Sequence, residues 1–153
     1  MEYTDEHWMQ QALELAHKAA SEDEVPVGAV LVKDNQLIST GWNQPIQNND
    51  PSAHAEMMAI RNAGQVLQNY RLIDTTLYVT LEPCSMCVGA MIHARVKRLV
   101  FGAFDNKTGA AGSALNLIHD PVHNHKLEVV GGVLEEECKL LLQNFFKNKR
   151  KKK

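Results

Sequence analysis

His54, Glu56, Cys84 and Cys87 are the residues whose types and spacing can do chemistry. One imidazole and two thiolates are three good zinc ligands, and three protein ligands leave a tetrahedral zinc with an open position for water. That is the arrangement of a catalytic site, because a closed structural site needs a fourth ligand. Zinc lowers the pKa of its water to about 7, which makes a nucleophile at neutral pH. Glu56, two residues from His54, is then a carboxylate that can move protons beside that water, provided it does not ligate the metal itself.

Spacing narrows the chemistry further. His-x-Glu cannot place both side chains on one helical face, since that takes a spacing of three or four. The pair is therefore not the H-E-x-x-H arrangement of metalloproteases. It works if both residues sit in the first turn of a helix, with Cys84 and Cys87 at the start of another. Two helix N-termini would then point at the metal, and their partial positive charge favours thiolates. Cys84-x-x-Cys87 by itself would also suit a thioredoxin-like redox pair, but His54 and Glu56 favour the metal. Cys138 falls on the apolar face of its helix and reads as a buried, inert thiol. His119, His123 and His125 form a loose cluster around Pro121, read as loop residues. His7, His17 and His93 read as surface or helix-packing residues.

The elements that must hold these groups follow from periodicity. Trp8, Met9, Ala12, Leu13, Ala16, Ala19 and Ala20 recur at helical spacing, so the pattern predicts a helix over about residues 5–20. Strands are expected at 27–32 and 37–41 around a turn at 33–36, then at 76–81, 96–101 and 127–130. Residues 43–51, rich in Asn, Asp and Pro, read as a loop. Ser52 is the expected N-cap of a helix over about 53–67. A short helix is expected over 84–93 and a glycine-rich loop over 102–112. Leu134, Cys138, Leu141, Leu142 and Phe145 share one face of a C-terminal helix, which would place Phe145 in the core. Strands alternating with helices give an α/β layered fold around a mixed sheet of about five strands.

The 153 residues suit a single domain spanning 1–153. No segment approaches the ~20 apolar residues of a membrane-spanning helix. The acidic N-terminus lacks the basic and apolar regions of a secretory signal. Three cysteines, two of them closely spaced, fit a reducing compartment; a cytoplasmic protein with no membrane partner is expected. The net charge of −2 hides an asymmetry: six of the last seven residues are basic, while residues 1–146 carry 10 basic and 18 acidic side chains. The basic run 147–153 reads either as a frayed, solvated tail or as a contact for phosphate backbone.

The H-x-E…P-C-x-x-C pattern is a signature of zinc-dependent base deaminases. Longer stretches resemble one family among them: Glu24-Val-Pro-Val-Gly-Ala-Val, Gly41-Trp-Asn, Asp50-Pro-Ser-Ala-His-Ala-Glu, Asn69-Tyr-Arg-Leu-Ile-Asp, Leu77-Tyr-Val-Thr-Leu-Glu-Pro-Cys, Gly89-Ala-Met-Ile-His and Lys107-Thr-Gly-Ala-Ala-Gly-Ser. From about residue 5 to 149 the chain is similar to the bacterial tRNA adenosine deaminases of the cytidine-deaminase-like superfamily.

The resemblance implies a three-layer αβα fold and hydrolytic conversion of adenosine to inosine at the wobble position of a tRNA anticodon. It also implies a homodimer with one Zn²⁺ per subunit, held by His54, Cys84 and Cys87, with Glu56 as proton shuttle. Asn43 matches the residue that hydrogen-bonds the target base, and Val27 and Leu81 match apolar pocket positions. Asp105 and Lys107 match a loop that contacts the RNA, where Asp105 would accept a ribose 2′-hydroxyl; Phe104 and Asn106 beside it depart from the family pattern. Phe145 and Phe146 match a C-terminal aromatic pair, of which Phe146 is the expected RNA-facing ring. The zinc signature alone also suits a deaminase of free bases or nucleosides such as guanine or cytidine.

Overall fold

The computed structural model describes residues 2–151. Helix α1 (Asp5–Ser21) begins where the Thr4 hydroxyl accepts the His7 N–H, with Asp5 and Glu6 in its first turn and Lys18 in its last. Acidic residues at the start and a basic one at the end complement the helix dipole. Strands β1 (Gly28–Lys33) and β2 (Gln36–Trp42) form an antiparallel hairpin, with a register shift between Leu31 and Val32. Asp34 and Asn35 turn it, both in the left-handed region that Asx residues tolerate. A one-turn helix α2 (Pro45–Asn48) follows, then α3 (Ala55–Leu67), β3 (Thr75–Leu81), α4 (Ser85–Ala94), β4 (Arg98–Ala103), β5 (Glu128–Gly131) and α5 (Glu135–Lys151).

The sheet order is β2-β1-β3-β4-β5. β1 runs antiparallel to both β2 and β3, while β3, β4 and β5 run parallel. Period-two alternation divides the core into two layers. Ala29, Leu31, Leu77, Val79, Leu99 and Phe101 face α3 and α4. Val30, Val32, Tyr78 and Val100 face Trp8, Met9, Ala12 and Leu13 of α1 and Cys138 of α5. The α/β expectation and the mixed five-stranded sheet are as found, in three layers.

Several boundaries differ from the sequence expectation. Residues 45–48 form α2 inside the stretch expected to be loop, because the buried Glu24 carboxylate accepts the backbone N–H groups of Ile46 and Gln47. Ser52 does not cap α3; its N–H and hydroxyl donate to Asp50 Oδ1 in a local turn, and His54 is the N-cap residue. The expected strand at 96–101 lies at 98–103. α5 continues through Lys151 and so takes in residues 147–151 of the basic run; Lys152 and Lys153 lie outside the described residues. Phe145 is half-buried and sits beside Lys149 rather than in the core. No helix among the described residues is long and apolar enough to cross a membrane.

Candidate active site

Helices α3 and α4 pack on the same face of the sheet and bring their N-termini together. His54 is the N-cap residue of α3 and Cys84 that of α4, both with extended backbone and neither with a side-chain capping bond. Glu56 and Cys87 lie in the first turns of the two helices. His54 Nδ1 is 3.6 Å from Cys84 Sγ and 3.5 Å from Cys87 Sγ, and the two sulfurs are 3.7 Å apart.

Tetrahedral zinc bound to two thiolates and an imidazole implies edges of about 3.8 Å between sulfurs and about 3.6 Å from sulfur to nitrogen. The triangle therefore already has the dimensions of a zinc site. Among the described residues, these three are the group whose ligand atoms converge closely enough to hold a metal ion. Cys138 packs on the other face of the sheet, in the α1–α5 layer, and makes no fourth ligand. His119 and His123 converge on no metal group, and the His125 ring bonds the Val96 carbonyl.

The three ligands share protons. Hydrogen bonds with the Cys87 thiol and the His54 ring hold the Cys84 thiol well below the usual thiol range. The Cys84 partner raises His54, against the effect of its burial. Hydrogen bonding to Cys84, reinforced by burial, pushes Cys87 up. A bound cation displaces such protons, which couples metal affinity to pH. Glu56 is 4% exposed, and burial pushes its carboxyl above the usual carboxylate range although the His54 charge opposes the shift. A carboxyl raised in this way by burial is suited to taking up a proton and passing it on.

A cavity of about 240 Å³ opens onto His54 and Glu56. Val27, Asn43, Leu81 and Asp105 line it as well. The Asn43 Oδ1 accepts the Ala55 N–H at 2.8 Å, so this side chain also caps α3. The Asp105 carboxylate accepts from the N–H groups of Lys107 and Thr108 and from the Thr108 hydroxyl, so it builds its own loop. Lys107 is exposed outside the cavity. Phe146 is exposed and lines a neighbouring cavity, which shares Val25, Asn43 and Pro45 with the first.

Sequence reasoning missed Glu24, Glu82 and Thr108. Glu82 and Thr108 line the site cavity, and Glu24 holds α2 beside it. A signal was present for both glutamates: each sits next to an apolar strand run, where a buried carboxylate is costly unless several donors meet it.

The family model described as the cytidine and deoxycytidylate deaminase zinc-binding region matches residues 2–103. The tRNA-specific adenosine deaminase of Haemophilus influenzae is 56% identical over 97% of this chain and 87% of its own length. That of Bacillus subtilis is 48% identical over 97% of this chain and 92% of its own. Among solved structures, one from a study of A-to-I editing by tRNA:A34 deaminases aligns with a TM-score of 0.87 at 43% identity, covering 89% of this chain and 99% of the other. A guanine deaminase from Nitrosomonas europaea aligns with a TM-score of 0.82 at 25% identity, covering 95% of this chain and 85% of the other. Likeness at this level over nearly the full length places the chain in the zinc-binding cytidine and deoxycytidylate deaminase family, in its branch of tRNA-specific adenosine deaminases.

Proposed function

We propose that this protein hydrolytically deaminates adenosine to inosine at the wobble position of a tRNA anticodon. The observation that carries the chemistry is the zinc-sized triangle of His54, Cys84 and Cys87 beside a buried Glu56 that shares their cavity. Near-full-length likeness to the tRNA enzymes supports the substrate. Zinc, one per subunit, would be held by His54 Nδ1 and the two cysteine sulfurs, and would activate water as a Lewis acid.

The protein's own groups do the rest. Glu56 takes one proton from the attacking water and gives it to the purine ring nitrogen beside the amine-bearing carbon; it then takes the second proton from the hydroxyl now on that carbon and gives it to the amine as the C–N bond breaks. Water enters, ammonia leaves and a carbonyl remains. With Oδ1 occupied by Ala55, Asn43 offers the cavity the N–H donors of its carboxamide, which suit an acceptor on the base. Val27 and Leu81 give the planar base apolar contact. Asp105 and Lys107 flank the pocket towards ribose and phosphate, and the exposed ring of Phe146 stacks on a neighbouring base. A base in an anticodon loop is poorly stacked, so extruding it costs only a few kcal/mol. We place the enzyme in the cytoplasm, as a homodimer; exposed Val66, Tyr70, Ile73 and Met86 on or beside α3 and α4 offer apolar area for a second copy.

Incubating the zinc-loaded protein with an anticodon stem-loop carrying a wobble adenosine tests the reading. Ammonia release and inosine at that position are expected. Unchanged adenosine would sink it, and rapid turnover of free guanine or cytidine instead would favour a deaminase of free bases or nucleosides. Glu56→Gln should keep zinc and lose about 10²–10⁴-fold in rate.

A further inference from the structure

Two buried glutamates line the cavity, and their surroundings give them different work. Glu82 is 2% exposed, as buried as Glu56. Its Oε1 accepts from the Asp105 N–H at 3.0 Å and from the Ser113 hydroxyl at 2.5 Å. Its Oε2 accepts from the N–H groups of Ala111 and Ser113, both at 3.1 Å. A carboxylate has about four acceptor positions, and four donors fill them. Nothing is left to exchange a proton with a substrate, so the proton-transfer role falls to Glu56.

The four bonds instead tie residues 105–113 to the end of β3. The Pro83 carbonyl adds a fifth tie, accepting the Ala110 N–H at 2.8 Å. Gly109 packs so closely that a Cβ there would lie 2.6 Å from Glu82 Oε1, so only glycine lets the segment fold over the carboxylate. Asp105 and Thr108 of this segment form part of the cavity wall.

We propose that Glu82 is a positioning residue that fixes the 105–108 wall of the base pocket and thereby sets the grip on the RNA substrate. It acts through Asp105 and Thr108 and does not touch the reacting atoms. The proposal rests on the reading that the cavity takes an RNA base.

Glu82→Gln keeps the shape and replaces one acceptor oxygen by a donor. Whichever oxygen is replaced, at least one backbone N–H of Asp105, Ala111 or Ser113 then faces another donor. The expected result is one zinc per chain, faster amide exchange at Ala111 and Ser113, and a KM for the anticodon stem-loop raised about tenfold. The fall in kcat should stay within about threefold. Ser113→Ala is the milder variant: it removes the hydroxyl, one of the four donors, and keeps the three backbone N–H bonds; it should shift KM and exchange in the same direction by a smaller factor, and it serves if Glu82→Gln does not fold. A loss of kcat with KM and exchange unchanged, loss of zinc from folded Glu82→Gln, or wild-type behaviour in both variants would overturn the proposal. Wild-type protein that binds zinc but leaves the stem-loop unchanged would overturn the functional reading alone, because the exchange comparison needs no substrate.

Discussion

The Asn43 carboxamide accepts the backbone N–H of Ala55 at 2.8 Å, so one side chain both lines the cavity and caps the helix that carries Glu56. The two jobs use different atoms and can be separated. Asn43→Asp keeps the capping oxygen and loses the N–H donors. Its melting temperature should stay near wild type while kcat/KM falls about 10²-fold, as expected when a base acceptor loses its partner. Asn43→Ala loses both and should also cost about 1 kcal/mol of stability. Thermal melts and inosine formation measured side by side decide this; full activity in Asn43→Asp would remove Asn43 from base recognition.

Cys84 and Cys138 should respond in opposite ways to the same substitution. Cys84→Ala breaks the ligand triangle, so zinc content and activity should both be lost. Cys138→Ala leaves a small cavity on the other face of the sheet, where the sulfur packs against Gly102. It should keep one zinc and full turnover, with a stability cost of about 1 kcal/mol. Metal analysis and denaturant midpoints check both, and zinc loss from Cys138→Ala would mean that the metal site extends beyond the triangle.

The ligand triangle was legible in the sequence because ligand chemistry restricts residue type and spacing. The strand order was not, since nothing local states which strands become neighbours. Helix and strand types were readable wherever apolar residues repeat, as in α1 and β3. The N-terminus of α3 was misread because Ser52 is a good capping residue by type, whereas the cap comes from Asn43, twelve residues earlier in the chain. The same holds for α2, whose first turn is held by Glu24 from another segment. Phe145 fits the helical stripe but is only half-buried and lines surface cavities with Asp23 and Lys149, so periodicity alone overstated its burial. Long-range side-chain contacts to backbone were the part that pattern could not supply.

Asp5 ties α1 to the sheet through Arg98 and Tyr78. Its carboxylate accepts from both Arg98 terminal nitrogens, at 2.8 and 2.6 Å, and from the Tyr78 hydroxyl at 2.8 Å. The Arg98 bonds hold Asp5 below the usual carboxylate range although burial opposes them. A carboxyl whose pKa is lower folded than unfolded adds stability above its unfolded pKa of about 3.9, and loses it as pH falls through the folded value. The pair is partly exposed, so its contribution should be about 1 kcal/mol. Asp5→Asn should be less stable by that amount at pH 7, and the gap should close below about pH 4. Urea midpoints against pH test this; a gap that does not change with pH would rule out the ion pair as its source.

Gly41 sets the distance between β2 and α3. A Cβ at this position would collide with the Ala55 carbonyl oxygen and lie 2.6 Å from the Ala59 nitrogen. Both obstacles are helix backbone, which cannot rotate aside as a side chain could, so α3 would have to move off the sheet. His54 and Glu56 sit at the end of that helix, and a displacement of about 1 Å at a reacting group can cost 10²-fold in rate. Gly41→Ala should therefore lose about 1–3 kcal/mol of stability and lose turnover out of proportion to the unfolded fraction. Gly89→Ala on α4 is the control, because a Cβ there meets nothing within 4 Å and alanine favours a helix over glycine by about 1 kcal/mol. Melting curves, zinc content and initial rates on the stem-loop compare the two. An unshifted melt and full turnover in Gly41→Ala would show that the missing Cβ does not set the helix–strand spacing on which the zinc ligands depend.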